Sequence, residues 1–152
     1  MDSPAEVRLK KEAAQLTQAP SADEILIDPC VGGDPFRWKA VLTPDRSSVF
    51  AGRHLPLVIT IPTTYPASPP RMRFTKPVYH PNITTSGSID MGALSKEWSP
   101  MLTIETMLRS VLTLLDEPDV HDPLRPEVAE VYVLAPQDYQ RQVRHGEEDL
   151  AP

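Results

Sequence analysis

A chain of 152 residues, 40% apolar and 24% charged, fits one soluble domain built on one core. Its net charge of −6 argues against nucleic acid as the main partner, although a local basic patch stays open. No apolar run reaches membrane-spanning length and no signal-peptide pattern opens the chain, while the single cysteine, Cys30, excludes an intramolecular disulfide and a cysteine zinc site. Cytosol or nucleus is the compartment this composition favours.

In chain order, the first predicted element is an amphipathic helix over residues 4–18. Ser3 supplies a cap, Pro4 a first-turn proline and Glu6 an early acid. Val7, Ala13, Ala14 and Leu16 offer its apolar face, and Arg8, Lys10 and Lys11 read as solvated cations. Four extended runs follow: Ile25 to Ile27, Phe36 to Leu42, Leu55 to Ile61 and Arg71 to Phe74. The β-branched run Leu57 to Ile61 is the most strand-like of them. Asp28-Pro29, Gly32 to Pro35 and Thr43 to Asp45 are turn signals between them. Spacing of roughly ten residues with short turns predicts an antiparallel meander. Tyr65 to Pro70 carries three prolines that cannot donate to a ladder, so it is a loop. The 18 prolines of the chain sit at turns, as stiffeners rather than as a low-complexity tract.

From Tyr79 to Pro100 the chain is too polar and turn-rich for one helix or strand. His80-Pro81-Asn82 makes a stiff turn, and Thr84 to Ser88 a second loop around Gly87. Ile89, Leu94 and Trp98 anchor the segment, which predicts an ordered, functional loop. Thr103 to Leu115 is a helix with Met107, Leu108, Val111, Leu112 and Leu115 in an apolar stripe. A loop from Pro118 to Pro126 carries Asp119, His121 and Asp122. Glu127 to Leu134 and Pro136 to His145 read as two further helices, the last poorly apolar. Gly146 and the acidic residues Glu147, Glu148 and Asp149 predict a fraying tail. The order of elements gives an α+β fold with helices against an antiparallel sheet.

Tyr79-His80-Pro81-Asn82, Gly87-Ser88-Ile89 and Trp98-Ser99-Pro100 together resemble the active-site segment of ubiquitin-conjugating enzymes. Tyr65-Pro66 followed by Pro69-Pro70 resembles the same family, and the likeness spans about residues 5–145. It implies the UBC fold in a single domain, residues 1–152: N-terminal helix, four-stranded antiparallel sheet, C-terminal helices. In that family the residue after Gly-Ser-Ile is the cysteine that carries ubiquitin as a thioester. Here it is Asp90, and a carboxylate is neither the nucleophile nor the leaving group this acyl transfer needs. The resemblance makes His80 a brace of the turn and Asn82 either an oxyanion donor or a loop brace. It makes Asp122 the acid that assists the incoming lysine. It assigns Arg8 and Lys11 to contacts with activating enzyme and ligases. Pro66, Ala67, Trp98, Ser99, Pro100 and Met101 become ligase-facing, and Arg109 ubiquitin-facing. Gly92 stands where an acid is usual, Ala67 where a large apolar residue is usual, and the last helix lacks the usual aromatic anchors.

Three readings follow. The first is an inactive variant that binds ubiquitin or a ubiquitin-like protein, an active conjugating enzyme or a RING-type ligase. The second is an active conjugating enzyme whose cysteine was replaced by Asp90 in the laboratory. The third, of another class, is a hydrolase using Asp90, Asp122 and His80. No cofactor is implied, nor a nucleic-acid or membrane partner. His80, His121 and Asp122 match no metal-ligand spacing.

Overall fold

The computed structural model describes residues 1–19, 23–96 and 98–150, the last five by backbone alone. Helix α1, Pro4–Gln18, begins where the cap signal places it, with the Ser3 hydroxyl accepting from the Glu6 N–H at 3.2 Å. Strands β1 (Ile25–Asp28), β2 (Arg37–Leu42), β3 (Leu55–Thr60) and β4 (Arg71–Phe74) form one sheet in sequence order, every pair antiparallel. The meander expected from the turn spacing is therefore present.

Burial alternates along each strand. Trp38, Ala40, Leu42, Leu55, Leu57, Ile59, Met72 and Phe74 face inward, as the period of two requires. Their inner layer joins Leu9 of α1 and the stripe Ile104, Met107, Leu108, Val111 and Leu115 of helix α3 (Ile104–Asp116) in one core. Thr103 caps α3 through its hydroxyl, which accepts from Thr106 N–H at 3.1 Å.

Four expectations need correction. The Tyr79–Pro100 segment contains a short helix, α2, Met91–Ser95. The buried residues of α1 are Ala5, Leu9 and Glu12; of the expected face Ala13 and Leu16 pack against the core, while Ala14 is exposed and Val7 is 56% exposed. Glu12 is buried because three donors from three segments converge on it. Arg8 Nε donates at 3.0 Å, the Tyr65 hydroxyl at 2.5 Å and the Ile104 backbone N–H at 2.9 Å. Arg8 is correspondingly no solvated cation: it also donates to the Leu102 carbonyl at 2.6 Å and lies over the Tyr65 ring.

The last correction concerns the C-terminal helices, α4 (Pro126–Leu134) and α5 (Pro136–Leu150). The poorly apolar α5 is anchored after all, by fully buried Val143 and by Tyr139, whose ring packs against Tyr132 and Tyr79. It remains helical past Gly146, because a glycine late in a helix costs only about 1 kcal/mol relative to alanine. The acidic side chains of the tail lie outside the described residues. Among the described residues no helix is long and apolar enough to cross a membrane.

Candidate functional site

The site is assembled from two loops that grip each other. The first runs from Val78 to Asp90. Its residues Ile83 and Ile89 pair as an isolated bridge, and Arg73 of β4 pairs with Ser88. Gly87 closes the loop at φ 92°, with its carbonyl accepting from Phe74 N–H at 2.8 Å. A Cβ at this glycine would stand 2.0 Å from the Phe74 carbonyl oxygen, so both the backbone angle and the space demand glycine. The second loop, residues 117–125, follows α3.

Asn82 joins the first loop to the second and His80 joins it to α3, and both are fully buried. Nδ1 of His80 accepts from the Asn82 N–H at 3.0 Å, and Nε2 donates to the Leu114 carbonyl at 2.7 Å. Both ring nitrogens are thus occupied. Burial pushes the imidazole down to about 4, so it stays neutral. A buried neutral histidine without a free nitrogen is a brace, which leaves the hydrolase arrangement without its acid-base imidazole. The Asn82 side chain donates to the Asp119 carbonyl at 2.8 Å and accepts from the Asp119 N–H at 2.8 Å. Its amide is paired in both directions with one backbone unit, the geometry of a loop brace.

Asp90 begins α2. Its N–H donates to the Asn82 carbonyl at 2.8 Å, while its carboxylate accepts from Gly92 N–H at 2.9 Å and Ala93 N–H at 3.3 Å. That is an N-cap, a position where aspartate is among the best residues and cysteine is not. Beside it, Lys96 bonds Asp119 at 2.8 Å. The Lys96 ammonium holds the Asp119 carboxyl below its usual range. Asp119, followed by the nearby charges of Asp90 and Asp122, raises Lys96. Position 90 therefore lies in a small field of three carboxylates and one ammonium, with Asp122 exposed at its rim. Sequence reasoning missed Lys96 and Asp119. No residue-type signal marks Asp119, because the part that holds Asn82 is its backbone. Among the described residues no three acidic, histidine or cysteine side chains converge as a metal site.

Comparison with known proteins adds to this frame. The family model for ubiquitin-conjugating enzymes matches residues 8–146. The chain belongs to that family. It is also similar, at 32% identity and a TM-score of 0.84, to a Plasmodium yoelii protein assigned as a ubiquitin conjugating enzyme. That match covers 99% of this chain and 97% of the other. With 32% of positions shared, the fold is the UBC fold and the pathway that of ubiquitin.

The other residues singled out fall into three places. Trp98 Nε1 donates to the Pro66 carbonyl at 3.0 Å and its ring packs on Tyr65, so the Pro66 and Trp98 loops form one edge. Ala67, Pro100 and Met101 are exposed along it, Met101 by 88%, while Ser99 caps the turn by accepting from Met101 N–H. Of the two expected contact cations on α1, Lys11 is exposed and has no ion-pair partner among the described residues, whereas Arg8 is committed to Glu12. On α3, Arg109 is half exposed beside Glu105. Cys30 sits in a left-handed conformation between β1 and β2, packed against the core. Burial pushes its thiol up, and the charges it feels are those of Lys10, Asp34 and Asp28, none from the Asp90 loop.

Proposed function

We propose that this member of the ubiquitin-conjugating enzyme family is catalytically inactive and acts by binding. Its partners in this reading are ubiquitin or a ubiquitin-like protein, an active conjugating enzyme, or a RING-type ligase, in the cytoplasm or nucleus. One observation carries the proposal. The residue where the family resemblance places the thioester cysteine is Asp90, and its carboxylate is spent on capping α2. An acyl group on that carboxylate would be a mixed anhydride, too reactive to persist in water. The only thiol, Cys30, is held up as the thiol form and is surrounded by a different set of charges. Binding would use the edge made by the Pro66 and Trp98 loops and the outer face of the sheet. Ala67 weakens the loop edge and exposed Met101 strengthens it.

The test is incubation with activating enzyme, ATP and ubiquitin, followed by a non-reducing gel. No reducible band one ubiquitin heavier is expected. A band that disappears in Cys30→Ser would overturn the proposal.

A second reading has its own support. The His80, Asn82 and Asp119 bonds that brace the site are all made. An active enzyme with its cysteine replaced by Asp90 would retain that brace. Asp90→Cys separates the two. A slow thioester with little transfer to lysine supports the inactive member, since Gly92 and Arg109 remain. Transfer at a normal rate supports the replaced cysteine.

A further inference from the structure

The outer face of the sheet carries a charge pattern that the site does not use. In the strand register Arg37 lies opposite Thr60 and Thr60 opposite Arg71. Two residues along, Lys39 lies opposite Val58 and Val58 opposite Arg73. All four cations are exposed, and none makes a side-chain hydrogen bond or ion pair among the described residues. The sheet geometry sets them on a rectangle of about 7 Å along the strands by about 10 Å across them. Asp28, beside Lys39 on β1, is the one carboxylate among the outward strand positions. Like charges on neighbouring rungs repel, so this array is unfavourable to the isolated fold. It stands on a chain whose net charge is −6.

The four cations line a groove of about 930 Å³. Pro62, Pro69 and Met91 also line it, with Val58 between the cations. Its lining reaches Ser95, so one end lies against the helix that Asp90 caps. On the next outward rung, Leu26, Val41 and Pro56 continue as an apolar strip, with Leu26 66% exposed.

We propose that this groove docks a short acidic peptide segment in extended form, from a partner protein. An extended peptide repeats its side chains on one face every two residues, about 7 Å apart. Carboxylates at such alternate positions match the Arg37–Lys39 and Arg71–Arg73 spacings. The apolar lining favours peptide side chains over a sugar-phosphate backbone. The net negative charge of the whole chain repels a long polyanion and tolerates a segment with a few charges. The inference rests on register, charge and the lining of the groove, and holds whether or not residue 90 supports acyl chemistry.

The test is an NMR titration of the labelled full chain with acetyl-Glu-Leu-Glu-Val-Glu-amide. Three comparisons accompany it: the same peptide with glutamine for glutamate, a single-stranded oligonucleotide of equal charge, and a raised salt concentration. Shifts are expected along β2, β3 and β4, weakened by salt and absent with the glutamine peptide. Arg71→Glu with Arg73→Glu should weaken binding about tenfold, whereas Arg46→Glu with Arg144→Glu, the same charge change elsewhere, should leave most of it. If the double reversal fails to fold, Arg71→Gln and Arg73→Gln separately replace it, each expected to weaken binding about threefold. Absence of shifts at millimolar peptide overturns the proposal, as does equal loss in both charge-reversed pairs or equal binding of the glutamine peptide. Tighter binding of the oligonucleotide would make the groove a nucleic-acid surface instead.

Discussion

Acid should unlock the site through His80. The neutral ring accepts from Asn82 N–H at Nδ1 and donates to the Leu114 carbonyl at Nε2. Protonating Nδ1 removes the lone pair that Asn82 uses and leaves a charge in the core. In the folded protein the imidazole is pushed down to about 4, against an ordinary value of 6.5. The unfolded chain therefore takes up the proton first. Stability is fully present above about pH 6.5 and is lost as pH falls toward 4. A gap of this size corresponds to about 3 kcal/mol, a large part of the total for a domain of this size. Urea unfolding at several pH values between 7.5 and 4 measures the slope. The His80 ring resonances report the titration directly, and should stay unmoved until near pH 4. His80→Gln is the comparison: its amide can still donate to Leu114 but does not titrate. It should be less stable than the wild type at pH 7, by about 1–3 kcal/mol for the unsatisfied Asn82 N–H, and flatter with pH. A wild type whose stability is unchanged between pH 6.5 and 4.5 would refute the reasoning. So would a ring that titrates near 6.5, or a His80→Gln variant with the same slope.

Two smaller perturbations probe the same loop. Asp90→Ala should destabilise the protein by about 1 kcal/mol and speed amide exchange over residues 91–95, whereas Asp90→Ser should restore most of both, measured by thermal unfolding and hydrogen exchange. Gly87→Ala meets the Phe74 carbonyl and a φ of 92° together, and should cost about 3 kcal/mol or more by chemical denaturation, with Gly33→Ala, whose added Cβ meets no atom within 4 Å, costing less.

Much of this fold is written in local signals. Strand residues alternate inward and outward strictly enough that β4 matches its expected bounds, Arg71–Phe74, and Ser3-Pro4 fixes the start of α1. The stripe in α3 is equally local, with Leu112 only partly buried and Leu114 buried beside it. Helix α2 was not legible. It has five residues, two of them glycine and serine, and depends on a carboxylate cap that no apolar period reveals. The burial of Glu12 was not legible, because periodicity counts only apolar residues and its partners Tyr65 and Ile104 lie 53 and 92 residues away. Within the site, His80 and Asn82 could be read as a turn from proline chemistry alone. Their bonds to Leu114 and Asp119 go to backbone atoms, which every residue type carries. The four cations of the sheet look unremarkable in sequence, because only the register sets Arg37 and Arg71 on either side of Thr60.

The Glu12 carboxylate has a bearing on how any map of partner surfaces will be read. It ties α1, the segment before Pro66 and the first turn of α3 to a single atom pair. Arg8, drawn in by the same carboxylate, also holds the backbone of the Trp98 loop at Leu102. Truncating Arg8 or Tyr65 would therefore shift the edge proposed to receive a ligase, because Arg8 holds its backbone at Leu102 and the Tyr65 ring packs on Trp98. An alanine scan scored only by lost binding would award these residues to the interface. Scored beside unfolding free energy, they separate into the frame that positions the edge, and Lys11, Ala67 and Met101, which alone among these can be contacts without being struts.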